Sequence, residues 1–449
     1  MLSKKLRAAG ALSAGLAAAL ALSACAPGGG ATQSSGPTEV SDDVAGAGDV
    51  TLKLSDFWSS AEEEWITTLI DNFEKKYPNV TIERTREDWG QLTSTLNLQL
   101  QDAGGPDIAS ANNGWSSLGT LAKGGLVVDL DAYADLYDWN DEVPTTIARQ
   151  NQFTSDFKTI GEGTWFATPL ARASLIGIYY NAGLLEDLGI EVPTSLDDLE
   201  DAAAEIKAAG KVPFSYSGLD GNTAALLGLQ ALYGSADDIN DFVYGSEDVT
   251  AADTGFNDAA TTLKEWGDDG WLMPNFEGLD YQTTLANYLD GDSVFRFDYT
   301  GSLGLSGEQL DDFGYIQLPQ VGGDSTVGVG AAPGAMVISA KCEHPDVAAA
   351  FLDYLMSEEA SQAAVDLGLV PMLNDVETPD SLSQSGEAAA TSTLDSDDGY
   401  VPYFDWASPT MLDILSQNTQ LLMAGKTTPE DFTKAVDDDR NAFLAESGS

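Results

Sequence analysis

The sequence predicts an α/β fold in which open sheets are covered by helices on both faces. Three observations lead there. Short stretches that alternate apolar and polar residues recur between stretches with helical spacing, the pattern of βαβ units. Proline stops the first helix where a strand must begin, at Pro78. The chain is also long and apolar enough to fill such cores: 449 residues, 43% hydrophobic, which by size corresponds to two or three domains.

The elements follow in order. Val50-Thr-Leu-Lys-Leu54 alternates and is a strand, and Glu62 to Tyr77 is a helix with Trp65, Leu69, Ile70 and Phe73 on one face. Val80-Thr-Ile-Glu-Arg84 is the second strand, Gln91 to Gln101 the second helix, and Asp107-Ile-Ala-Ser-Ala111 the third strand. Right-handed crossovers between parallel strands then give an open sheet whose ligands sit beyond the strand C-termini. The loops Phe57 to Ser60 and Asn112 to Trp115 lie at those ends.

Upstream of the first strand the chain reads differently. Residues 1–24 hold Lys4, Lys5 and Arg7, no acids, and an apolar run from Ala8 to Leu22, which is a secretory signal too short to span a bilayer comfortably. Leu22-Ser23-Ala24-Cys25 resembles the bacterial lipobox, so Cys25 is the expected lipid attachment point and an anchor to the membrane. Residues 25–49, rich in Gly, Ser, Ala, Pro and Thr, read as a flexible tether.

Composition excludes several chemistries. With 72 Asp+Glu against 20 Lys+Arg the formal charge is −52, and losing the leader's three cations takes it to −55. That field repels phosphate backbones, so no nucleic-acid partner is expected. Two cysteines and one histidine leave no Cys/His metal cluster, and a His-dependent catalytic site would have to use His344, whose Pro345-Asp346 neighbours mark a helix start. The nearest glycine-rich stretch, Gly328 to Gly334, has Pro333 where a third glycine would be needed. No cofactor, no metal and no catalytic residues are expected. Cys342 reads as a small buried hydrophobe.

Eight segments in order carry a family resemblance. "FWSSAEEEWITTLIDNFEKKYPNVTIE", "GGPDIASANNGW", "FATPLARASLIGIYYNAGLLEDLGI", "VPTSLDDLEDAAAEIKAAGKVPF", "LDGDSVFRFDYTG" and the stretches through "LMAGKTTPEDFTKA" are similar to the extracellular solute-binding proteins, family 1, of ABC sugar importers, the maltose-binding-protein-like group. The likeness runs from about residue 50 to 440. Leu196 replaces a Trp common at that helix start, and Phe297 to Gly301 lacks the Trp commonly found after this strand, where Tyr299 could substitute. The resemblance implies two doubly wound α/β lobes joined by crossing hinge strands, the type II periplasmic-binding-protein arrangement. By motif, an N-lobe holds 50–173 and 326–372, and a C-lobe holds 174–325 and 373–449. Hinge strands are expected at Pro169 to Ser174 and Pro319 to Thr326, with a third crossing near Pro371.

A neutral sugar needs aromatic faces for its C–H surfaces and paired polar groups for its hydroxyls. Loop tryptophans supply the first: Trp58, Trp115, Trp271 and Trp406, with Tyr299 and Tyr403 beside them. Trp65 and Trp266, at helical spacing, read as core, Trp139 and Trp165 as surface packing, and Trp89 is open. Asn112, Asn113, Arg172, Asp220, Asp298 and Asp405 are the polar candidates, although Asp220 also suits a turn and Arg172 a salt bridge. Replacing Trp406 by Ala is expected to weaken binding with little loss of stability.

The expected function is a monomeric, lipid-anchored receptor on the outer face of the cell membrane. It captures a sugar or oligosaccharide and delivers it to the transmembrane subunits of an ABC permease. Two alternatives stay open: a binding protein for a small cationic or other non-sugar solute, and an extracellular carbohydrate-active enzyme with facing carboxylates.

Overall fold

A computed structural model describes residues 36–37, 39–59, 61–245, 248–331, 334–373, 376–392 and 399–447. The leader, Cys25 and the first part of the tether lie outside the described residues. In chain order the strands are β1 (Val50–Asp56), β2 (Val80–Arg86), β3 (Ile108–Ala111), β4 (Gln152–Phe153), β5 (Thr164–Trp165), β6 (Ser174–Asn181), β7 (Phe214–Ser215), β8 (Phe295–Tyr299), β9 (Phe313–Ile316), β10 (Gly328–Ala331), β11 (Ala335–Ile338) and β12 (Tyr400–Val401).

Two sheets organise the body. The first has the order β11-β3-β1-β2, with β1, β2 and β3 parallel and β11 antiparallel to β3. The helices Ala61–Lys76 and Trp89–Gln101 form its crossovers. Their apolar faces explain why they fold onto it: Trp65, Ile66, Leu69, Ile70 and Phe73 are buried on one, Leu92, Leu96 and Leu100 on the other. The second sheet has the order β12-β10-β6-β8-β7, with β9 also paired to β6. Its core packs Phe214 face to face on Trp266, with ring centroids 4.3 Å apart. Each sheet with its helices is one lobe of a type II arrangement.

Among the described residues the chain changes lobes three times. At the first and last passages, residues 171–173 run beside 370–372: Ala173 N–H donates to the Val370 carbonyl and Met372 N–H to that of Ala171. The other passage differs from the sequence expectation. Residues 319–326 do not cross, because they fold on themselves and onto the second lobe: Gln320 N–H donates to Ser325 O, and Val321 N–H to Leu232 O. β10 then still pairs with β6, so the chain changes lobes only between 331 and 335, and the expected boundary at 326 is too early.

The tether expectation also needs correction at its C-terminal end. Val44 is 3% exposed and belongs to the first lobe's core, which Val40 also packs against. Asn79 holds the Ala45–Ala47 turn by donating to the Val44 and Gly48 carbonyls. Apolar side chains within a polar segment thus bind it to the body. Trp139 and Trp165, expected near the surface, are fully enclosed and lie edge to face, with their indole nitrogens bonded to Asp353 and Asn140. Trp65 and Trp266 are core, as their spacing implied. Cys342 is half-buried rather than buried as expected, and desolvation pushes its thiol up to about 12.

Candidate functional site

Register brings the relevant ends together. β6 is antiparallel to β8 and to β10, with Ile176 opposite Tyr299 and Ser174 opposite Ala331, and β12 is parallel to β10. Ser174, Tyr299, Ala331 and the residues after Val401 therefore share one end of the second sheet. The first sheet offers the C-terminal ends of β1, β2 and β3. The lobe passages join these two ends, which makes the space between them the cleft.

One edge of the cleft is bridged. Asn112, after β3, donates from Nδ2 to Asp405 Oδ2 at 2.8 Å and accepts the Trp406 indole N–H on Oδ1 at 3.2 Å. Trp115 N–H donates to the Trp406 carbonyl at 2.9 Å. Gly114 makes this approach possible: its φ is +66°, and a Cβ there would stand 2.1 Å from Trp406 Cβ. Asn113 is buried on the first-lobe side, donating to Gln150 O and Asn151 Oδ1. Beyond this bridge, Trp115 meets Phe443 with centroids 5.0 Å apart, and Arg149 lies 4.3 Å over the Tyr244 ring.

The half-buried aromatics stand next to this bridge. Tyr403 meets Tyr299 edge to face at 5.8 Å and Trp406 at 5.7 Å, and its hydroxyl donates to the Ser174 carbonyl at 2.6 Å. On the first lobe, Phe57 meets Trp89 edge to face at 4.6 Å. A Cβ at Gly334, where the chain re-enters the first sheet, would lie 3.6 Å from the Phe57 ring. Trp89 was open and Phe57 unmarked in the sequence reading, although Phe57 stands in the same strand-end loop as Trp58.

Electrostatics at the site are largely self-cancelled. Arg172, 1% exposed, pairs with Glu62 at 2.5 Å and lies over the Trp65 ring. Asp56 accepts from two of the three guanidinium nitrogens of Arg84, at 2.6 and 2.7 Å, and burial still raises its pKa above the ordinary value. Asp298 accepts from Arg296 and from the Tyr281 hydroxyl. Asp405 differs, because its carboxylate has the Asn112 amide and no ion-pair partner among the described residues. Burial pushes its pKa up to about 6, against the pull of the Asn112 bond.

The structure thus assembles Asn112, Arg172, Tyr299, Tyr403, Asp405 and Trp406 in one place, with Asn113 and Trp115 behind the bridge and Asp298 beneath Tyr299. It does not bring in three others. Asp220 is exposed and accepts the Tyr281 N–H, so it is the turn residue its setting also suited. Trp271, three residues past the end of the helix Phe256–Asp268, is half-buried against Trp266, and its carbonyl accepts from Phe214 N–H. Trp58 is fully enclosed against Phe57 and Trp65 rather than open to the cleft. A separate cavity of about 440 Å³, near Glu64, Leu310 and Asp366, contains none of the candidate residues. No group of three or more His, Cys, Asp or Glu able to hold a metal occurs among the described residues.

With the cleft in view, similarity to known proteins decides the family. A sequence model of the bacterial extracellular solute-binding proteins matches residues 68–391. The chain belongs to that family. Among curated relatives, a multiple sugar-binding protein of Streptococcus mutans is 26% identical over 230 residues, covering 50% of this chain and 54% of the relative. A probable sugar-binding periplasmic protein of Mesorhizobium japonicum is 24% identical over 215 residues, covering 46% and 47%. The matched region spans about half the length of these relatives. Solved structures share the fold over most of their length. A chitin oligosaccharide binding protein superposes with a TM-score of 0.71 at 20% identity, covering 88% of this chain and 99% of that one. Maltose-bound MalE3 of T. maritima gives 0.67 at 17%, covering 88% and 99%. This solute-binding protein has no helix long and apolar enough to cross a membrane among its described residues.

Proposed function

We propose that this solute-binding protein captures a sugar or oligosaccharide in the cleft and delivers it to the transmembrane subunits of an ABC permease. In this reading it is a monomer held at the outer face of the membrane by a lipid on Cys25. It makes and breaks no covalent bond in its ligand. The lobes rotate about the paired passages at 171–173 and 370–372, so the ligand is buried and the closed form presents a different surface to the permease.

The observation that carries the reading is the pairing of aromatic edges and faces with hydrogen-bonding groups across the cleft. Phe57, Trp89, Tyr299 and Tyr403 are half-buried, which suits stacking on sugar C–H faces. Asn112, Arg172 and Asp405 stand among them to bond hydroxyls. The sugar-binding names of the Streptococcus and Mesorhizobium relatives support the same ligand class.

Charge favours a neutral solute over a cationic one. Glu62, Asp56 and Asp298 each already hold an arginine, which leaves Asp405 as the acid of the site without an ion pair among the described residues. A thermal-shift screen of the protein against mono- and oligosaccharides, polyamines and amino acids tests this. A saccharide that raises the melting temperature by mass action is the expected result. Stabilisation by a polyamine or amino acid and by no saccharide would overturn the ligand class, and saccharides shortened by the protein would overturn the receptor reading.

A further inference from the structure

The helix Leu382–Thr391 carries one acid, Glu387, that the cleft does not use directly. Its side chain is 1% exposed, and no salt bridge reaches it among the described residues. Oε1 accepts the Tyr179 hydroxyl at 2.6 Å and the Ser383 hydroxyl at 3.0 Å, while Oε2 has no hydrogen-bond partner. Tyr179, fully enclosed on β6, accepts the Gly301 N–H at 3.0 Å and lies 3.2 Å from the Tyr299 carbonyl. Gly301 has φ +74°, which glycine adopts without strain, and the Tyr179 hydroxyl accepts the N–H of this turn after β8. A line of contacts therefore runs from Glu387 through Tyr179 to the turn that carries Tyr299 into the cleft.

The protonation state of Glu387 matters to this line. A buried carboxylate with no cation and an unpaired oxygen is costly, whereas the neutral acid keeps both bonds at Oε1 at no charge cost. Tyr179 from β6 and Tyr315 from β9 are the ionisable groups that face it, and Asp298 on β8 faces those two tyrosines. Burial and the neighbouring acid hold both tyrosines well above their usual range, so they remain donors. Arg296, the nearby cation, is taken by Asp298. Asp311 faces the far end of the helix, where it accepts the Leu382 N–H.

We propose that Glu387 is a proton-bearing positioning residue: as a neutral acid it anchors Tyr179, and Tyr179 holds the Tyr299–Gly301 turn at the cleft. Burial pushes its pKa up to about 7, against the pull of the Tyr179 and Ser383 bonds and of the Gly301 N–H, which also points toward this carboxyl. The ordered turn then retains a proton that an opened turn, with Glu387 in water, would release. Its order is strongest at low pH, weakens as pH rises from the ordinary carboxylate range to about 7, and is level above.

Amide hydrogen exchange on the full chain tests this without a ligand. After correction for intrinsic exchange, protection of the segment containing Gly301 should fall about tenfold between pH 6 and 8. In Glu387→Gln, which keeps the acceptor and cannot ionise, protection should be level, and in Tyr179→Phe it should be low throughout. A fall in Glu387→Gln equal to that of the wild type overturns the proposal. So does a wild-type profile in Tyr179→Phe. Should Glu387→Gln not fold, infrared titration of the wild type decides: a protonated-carboxyl band lost near pH 7 is expected, and its absence overturns the proposal. The bearing on ligand capture rests on the receptor reading, but this experiment can fail or succeed whatever the cleft binds.

Discussion

Asn112 and Asp405 come from opposite lobes and meet amide to carboxylate at 2.8 Å, while the same amide accepts the Trp406 indole. The carboxylate therefore depends on a single donor from across the cleft. Asn112→Asp removes that donor and sets two acids face to face. We expect a stability loss of about 1–3 kcal/mol that grows as pH rises from 5 to 8, followed by melting temperature at fixed salt. A loss that does not vary with pH would mean that Asp405 is not facing residue 112.

Asp405 itself sets a sign. Its folded pKa of about 6 stands above the ordinary 3.8, so the native chain keeps a proton that the unfolded chain gives up. Its contribution to stability must decline as pH rises between those values and be level above them. Asp405→Asn should flatten this part of the melting-temperature profile between pH 4 and 6. An unchanged slope would place the proton elsewhere.

Trp406 was expected from its loop setting to matter for binding and little for the fold. It is fully enclosed in the second lobe's core, so the expectation reverses. Trp406→Ala should cost about 3–5 kcal/mol in urea denaturation. Trp406→Phe, which keeps most of the packing and loses the bond to Asn112, should cost distinctly less.

Gly114 tests the bridge from the other side. An added methyl would collide with Trp406 and sit at a φ that alanine avoids. Gly114→Ala should part the contact and leave each core intact. Small-angle scattering should register a larger radius of gyration with unchanged far-ultraviolet dichroism. An identical scattering curve would show that the lobes do not rely on this approach.

Residues 50–111 were readable element by element because apolar spacing and a proline stop act locally. The strand boundaries came out within about two residues, the ordinary spread at element ends. The passage between lobes was placed at 319–326 by the motif order of the family resemblance. What decides it is the pairing of Val329 with Ile176, more than a hundred residues away, and no local signal reports that partner. The tryptophans show the same limit. A ring in a loop looks alike in sequence whether it faces solvent or closes a core, so Trp58 and Trp406 could not be told from open residues. Asp220 and Arg172 were ambiguous for a sound reason, since a turn and an ion pair were each available to them.

The packing of Val40 and Val44 has a mechanical consequence. β1 enters the first sheet beside this segment and ends at the cleft, so residues 40–44 are fastened to the first lobe at the end of β1 away from the binding surface. A load taken up by these residues falls on the first lobe, and the second lobe feels it only through the passages and the Asn112–Asp405 bridge.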